Sequence, residues 1–150
     1  MIITQDLSVQ FHQTEVLSKV NFRAEPGQLV SIAGPNGSGK TTLLRALSGE
    51  IDYQGNIQFD GENLTGFSNQ LLAQRRAFLP QATELAFPFT VLEVVQMASQ
   101  DRRSARPSLA LERVGLKGFE SRYYQELSGG EKQRVQLARV LVQVWQPVID

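Results

Sequence analysis

The stretch Gly34-Pro35-Asn36-Gly37-Ser38-Gly39-Lys40-Thr41 narrows the folds open to this chain more than any other eight residues. Its pattern is Gly, four residues, then Gly-Lys-Thr. It lies between a short apolar run, Leu29-Val30-Ser31-Ile32-Ala33, and a helical stretch from Thr41 to Ser48 closed by Gly49. Strand, glycine loop and helix in that order predict an α/β unit. Glycines let successive backbone N–H groups turn inward into an anion-binding nest, which a Cβ would obstruct. A helix starting near Lys40 adds the positive end of its dipole. On these grounds Lys40 can set its ammonium on β- and γ-phosphates, the Thr41 hydroxyl can complete a magnesium shell, and Thr42 can donate to an α-phosphate. The alternative is a chance glycine turn before a helix, and the apolar run ahead of the loop argues against it. The loop alone points to a nucleotide without fixing a reaction.

The rest of the chain supplies the frame. Ile2 to Phe11 and Val16 to Ala24 alternate apolar and polar residues around the break His12-Gln13-Thr14-Glu15, which predicts a β-hairpin. Gly55 to Phe59 with Asp60-Gly61 reads as a strand and turn, and Ala77-Phe78-Leu79 as a buried strand ending at Pro80-Gln81. From Thr90 onward helices dominate. Thr90-Val91-Leu92-Glu93 has capping-box form and opens a helix to about Ser99, and Ser108 to Val114 makes a second before Gly115. Ser128-Gly129-Gly130-Glu131 repeats the capping form and starts a helix to about Trp145. Lys132, Gln136, Arg139 and Gln143 share one face of it, while Val135, Leu137, Ala138, Leu141, Val142 and Val144 are expected to be buried. Asp101-Arg102-Arg103-Ser104-Ala105-Arg106-Pro107 reads as an exposed loop with solvated arginines.

Composition removes several alternatives. Fifteen Lys and Arg balance fifteen Asp and Glu, so the surface as a whole has no field to attract nucleic acid, and any anion site must be local. There is no cysteine, which excludes disulfides and thiolate metal sites, and the single histidine, His12, argues against a histidine-held metal. The start, Met1 to Asp6, lacks the pattern of a secretory signal. No apolar run approaches the roughly 18 residues that read as a membrane span. If the protein works at a membrane, another subunit crosses it.

A second motif selects among phosphate-loop proteins. In Leu127-Ser128-Gly129-Gly130-Glu131-Lys132-Gln133-Arg134, Ser128 and Glu131 can be a helix cap whose glycines shape the turn. Equally, Ser128, Gly129 and Gly130 can present a hydroxyl and unhindered amides as a second phosphate site, and the two readings are compatible. This string resembles the signature motif of ATP-binding cassette ATPases, at the family's distance from the phosphate loop, and the resemblance covers essentially the whole chain.

The resemblance implies a phosphate-loop core with an N-terminal antiparallel β subdomain (about 1–81), a helical subdomain (about 82–130) and a signature helix (about 129–145). It implies ATP and Mg²⁺ as ligands. Two cassettes would pair head to tail, so that Ser128, Gly129, Gly130 and Glu131 face ATP on a second copy. Phe11 sits where the family places an aromatic on the adenine; a core strand residue is the other reading. Gln81 matches the glutamine that senses γ-phosphate and magnesium and hinges the helical subdomain. The short interval from Gln81 to Leu127 excludes the long coiled-coil insertions of repair and chromosome-maintenance relatives. Gln74-Arg75-Arg76-Ala77-Phe78-Leu79-Pro80-Gln81 and Phe89-Thr90-Val91-Leu92-Glu93-Val94-Val95 are similar to importers of iron chelates, haem and cobalamin. Arg122 to Leu127 and Arg139 to Trp145 look most like those of haemin importers.

Such a motor works at the cytoplasmic face of the cell membrane, on transmembrane permease subunits and, through them, a periplasmic or surface binding protein. The family also uses a strand ending in a magnesium-binding Asp, a catalytic Glu and a switch histidine beyond the signature helix. Asp150 follows only two apolar residues and reads as a loop residue, and His12 does not replace the switch histidine. The 150 residues by themselves are therefore expected to be deficient in hydrolysis. Siderophore or cobalamin import, a non-transport cassette protein and a non-functional fragment stay open as alternatives.

Overall fold

The computed structural model describes residues 1–79, 85, 87–99 and 104–145. Gln81, Asp101 to Arg103 and Asp150 lie outside the described residues. The chain divides into two compact units, Met1–Asn69 and Gln70–Asp150.

In the first unit, the alternating segments form the predicted antiparallel hairpin of β1 (Ile2–Phe11) and β2 (Thr14–Ala24). β3 (Gln54–Phe59) adds to the other side of β1, and the two-residue β4 (Glu62–Asn63) pairs with β3, giving the order β2-β1-β3-β4. Asp60-Gly61 is the β3–β4 turn, both residues at positive φ (52° and 85°), as an Asp-Gly hairpin turn requires. Along β1, period-two alternation puts Leu7 and Val9 on one buried face, with Leu17 directly opposite Val9. Ala46 of α1 (Lys40–Leu47), Ile57 and Leu64 are also buried in this unit.

The hairpin is bent. Thr4 pairs with Phe22 but Leu7 with Val20, so β1 carries one extra residue; Val9 then pairs with Leu17, so β2 returns one. Asp6 (φ 49°) and Lys19 (φ 46°) take the left-handed conformation at these bulges. These two irregularities cancel, which keeps Leu7, Val9 and Leu17 on the core side; a third follows between Val9 and Gln10, where β2 carries one more residue and Gln10 pairs with Glu15.

Two expected strands do not form. Leu29-Val30-Ser31-Ile32-Ala33 makes no ladder with any described strand; Leu29 is fully exposed and Val30 is 42% exposed. Ala77-Phe78-Leu79 is likewise irregular. An apolar run becomes a strand only where a neighbour satisfies its backbone groups, and no described strand lies beside either segment.

α2 (Asn69–Arg75) starts at the boundary of the units, and three helices follow in the second, α3 (Val91–Gln96), α4 (Arg106–Arg113) and α5 (Gly129–Val144). The latter three bury Val94, Val95, Leu111, Leu116, Val135 and Ala138 together. α3 is shorter than expected but capped as expected. Its Thr90 N–H donates to Glu93 Oε2 (2.7 Å), and the Glu93 N–H donates to Thr90 Oγ1 (3.3 Å). Two side chains of α5 depart from the expected faces. Gln136 is buried because its Nε2 donates to the Tyr124 hydroxyl (3.1 Å), and Leu137 is 40% exposed. A buried amide is tolerated where it has a partner, so polarity alone did not assign the face. Among the described residues no helix is long and apolar enough to cross a membrane.

Candidate functional site

The glycine loop folds on itself ahead of α1. The Ser38 N–H donates to the Pro35 carbonyl (3.2 Å), closing a turn, and Gly37 and Gly39 hold φ of 81° and 87°. Gly39 is the N-cap of α1, with no side-chain cap and no acidic residue in the first turn. A Cβ at Gly39 would lie 2.8 Å from Leu17 Cδ2 and 3.2 Å from the Val16 carbonyl oxygen, so conformation and space both require glycine there. A Cβ at Gly34 would lie 2.7 Å from Ser38 Oγ. The first bond of the helical ladder is Leu43 N–H to Gly39 O (2.8 Å), so the amides of Lys40, Thr41 and Thr42 precede it, at the positive end of the dipole.

Lys40 reaches back across the loop. Its ammonium donates to the Gly34 carbonyl (2.9 Å) and the Pro35 carbonyl (2.6 Å), which uses two of its three N–H groups and holds the charge over the loop. Pro35, Asn36, Gly37, Ser38 and Thr41 are exposed, and Thr42 is half-buried. This is a concentration of amide donors and one fixed cation on an exposed loop, the arrangement that an oligophosphate fits.

Phe11 closes β1, pairing with Thr14 at the hairpin tip in the same unit as the loop. It is 42% exposed, which removes it from the core and leaves its ring available.

Ser128, Gly129, Gly130 and Glu131 belong to the other unit. Ser128 caps α5 in a closed capping box. Its hydroxyl donates to Glu131 Oε2 (2.7 Å), its N–H donates to the same oxygen (2.8 Å), and the Glu131 N–H returns to Ser128 Oγ (3.4 Å). The Ser128 hydroxyl and amide hold the Glu131 carboxyl below the usual glutamate value, with smaller pulls from Arg122 and Arg134. Gly129 and Gly130 are helical, and a Cβ on either would meet nothing within 4 Å. Among the described residues nothing requires glycine at these two positions.

The phosphate loop and Phe11 thus share one unit, the signature stretch lies in the other, and Gln81 lies outside the described residues. Sequence reading missed two features. One is the seat of Leu17 on Gly39, which the hairpin's alternation hinted at by marking Leu17 as an inward residue. The other is the pair of arginines that act on Glu131.

A family model described as ABC transporter matches residues 17–148. The chain is 57% identical to the hemin import ATP-binding protein HmuV of Jannaschia sp. (strain CCS1), over all of this chain and 57% of that protein. It is 52% identical to the hemin import ATP-binding protein HmuV of Mesorhizobium japonicum (strain LMG 29417 / CECT 9101 / MAFF 303099), over all of this chain and 60% of that protein. The chain therefore spans under two thirds of the length of these relatives. Among solved structures, it resembles a bacterial Atm1-family ABC exporter with ATP bound (TM-score 0.85, 26% identity, 95% of this chain and 27% of that one). It also resembles cbiO1 from Clostridium perfringens, part of the cbiONQ ABC transporter complex (TM-score 0.77, 26% identity, 95% of this chain and 61% of that one).

Proposed function

The chain belongs to the ABC transporter family and has the fold of its ATP-binding cassettes, and from that premise we propose that it is the ATP-binding part of the motor subunit of an importer for haem or a related iron chelate. The observation that carries ATP binding is the uncapped start of α1, where positive-φ glycines, free first-turn amides and the fixed Lys40 ammonium converge. Gly34 to Lys40 would cradle the phosphates, Thr41 and Thr42 would follow along the tail, and Phe11 would stack on the base. An Mg²⁺ ion keeps most of its shell as water and phosphate oxygens, so one exposed hydroxyl, that of Thr41, is a fitting protein ligand, with Gln81 as a second. Bound there, the ion would neutralise charge on the β- and γ-phosphates.

Glycines that their own fold does not need support the signature reading. Ser128, Gly129, Gly130 and Glu131 would be met by ATP on a second cassette in a head-to-tail dimer. Hydrolysis in the whole protein would then drive transmembrane permease subunits from the cytoplasmic face of the membrane, with a periplasmic or surface binding protein delivering cargo and no nucleic acid involved. The 150 residues alone would bind ATP without turning it over, since no carboxylate among them has a claim to orient the attacking water. The haem assignment follows the relatives named as hemin import proteins.

A strain lacking the full-length gene should fail to grow on haemin as sole iron source and should be rescued by the wild-type gene but not by Lys40→Ala. Normal growth on haemin with failure on a siderophore or cobalamin would move the cargo to a sister group. Rescue by Lys40→Ala would overturn the motor reading.

A further inference from the structure

The bent hairpin and the phosphate loop meet at one point. β1 directs Leu7 and Val9 into the core, and continuing the same alternation puts Phe11 on that face too, where the strand runs out and the ring emerges. Leu17 sits opposite Val9 on β2, so it shares this face, and it is only 7% exposed. Its Cδ2 occupies the space that a side chain on Gly39 would fill, with the Val16 carbonyl beside it. Leu17 is therefore seated on bare backbone at the N-cap of α1, while Phe11 projects from the same face two residues beyond Val9, about 7 Å along the strand. A nucleoside can bridge that separation. The bulges at Asp6 and Lys19 offset one another between Thr4 and Val9 and keep Leu7, Val9 and Leu17 on one face; a further extra residue between Leu17 and Glu15 lies on β2, and β1 runs on from Val9 to Phe11 without an insertion.

We propose that Leu17 is a positioning residue for nucleotide binding: packed on Gly39, it fixes the hairpin tip against the phosphate loop, so that the Phe11 ring stands where the base of a loop-bound triphosphate lies. The proposal rests on the reading of Phe11 as the base-stacking residue. It separates two contributions to affinity. Inorganic triphosphate needs only the loop, whereas ATP also needs the ring at a set distance from it.

The test titrates ATP and inorganic triphosphate against full-length wild type, Leu17→Ala, Phe11→Ala and the double variant. Wild type should prefer ATP. Leu17→Ala should lose about fivefold in ATP affinity, the worth of one stacking contact, and keep its triphosphate affinity. In the Phe11→Ala background, Leu17→Ala should cost ATP nothing further, since the group it positions is gone. Leu17→Met should restore the wild-type preference. Should Leu17→Ala fail to fold, Leu17→Val is read in the same way and should show a smaller loss confined to ATP. Equal losses for ATP and triphosphate, or unchanged ATP binding, would reduce Leu17 to a core residue and overturn the proposal. An ATP affinity unmoved by Phe11→Ala would instead overturn the stacking reading, and this inference with it.

Discussion

At the start of α1 the capping position is Gly39, held at φ 87°, with no side-chain cap and no carboxylate in the first turn. At the start of α5 it is Ser128, whose hydroxyl and amide are both bonded to Glu131 in a closed capping box. Both ends carry glycines beside the capping position, and as sequence they look alike. Physically they are opposites. α1 leaves its amides and dipole for an anion and adds a lysine, whereas α5 has already satisfied its own end with a carboxylate. The glycines differ too. Gly39 is needed by its own fold, whereas no described residue crowds a side chain at Gly129 or Gly130. On the proposed reading one end binds nucleotide by itself, and the other is met by ATP on a second copy.

The largest effect should come from placing the same methyl group in both regions. Gly39→Ala incurs about 1–2 kcal/mol for the left-handed conformation and about 1–3 kcal/mol for crowding Leu17 and the Val16 carbonyl. Gly130→Ala, in ordinary helical backbone and open space, should be neutral or stabilising by less than about 1 kcal/mol. Denaturant unfolding of both variants checks this, and equal stabilities would erase the contrast.

Next in size is the cap itself. Ser128→Ala should lower stability by about 1 kcal/mol through loss of the capping box. A change too small to detect in the same unfolding experiment would show that α5 does not depend on its cap, which would make its end more like that of α1.

The smallest effect sharpens the role of Glu131. Its native carboxyl value is depressed, so its contribution is complete above the ordinary glutamate value of 4.5 and is lost as the pH falls through the lower native value. Glu131→Gln keeps acceptors for the cap but cannot titrate. Thermal melting between neutral and acid pH should therefore show a shallower acid decline for the variant. Parallel curves would contradict the assignment.

How legible each region was in the sequence follows from the range of its interactions. Capping boxes at Thr90 and Ser128, the Asp60-Gly61 turn and the alternating hairpin are local devices, and each formed where the residues placed it. Leu29 to Ala33 and Ala77 to Leu79 were misread because an apolar run reports a wish for burial, while strand formation depends on a neighbour distant in sequence. Gln136 misled because its partner, Tyr124, lies on another element. α2 is only seven residues long, too short for its periodicity to show. At the site, the loop residues were legible from spacing alone. The seat of Leu17 on Gly39 was not, because it depends on hairpin bulges that no composition rule announces.

The central claim is that nucleotide binding by this chain resides at α1 and not at α5. Titrating a fluorescent ATP analogue against wild type, Lys40→Ala and Gly130→Ala, at protein concentrations where the chain is monomeric, tests it directly. Lys40→Ala should abolish retention, and Gly130→Ala should bind as wild type does. Equal affinities for wild type and Lys40→Ala, or a loss in Gly130→Ala as deep as that in Lys40→Ala, would contradict the account.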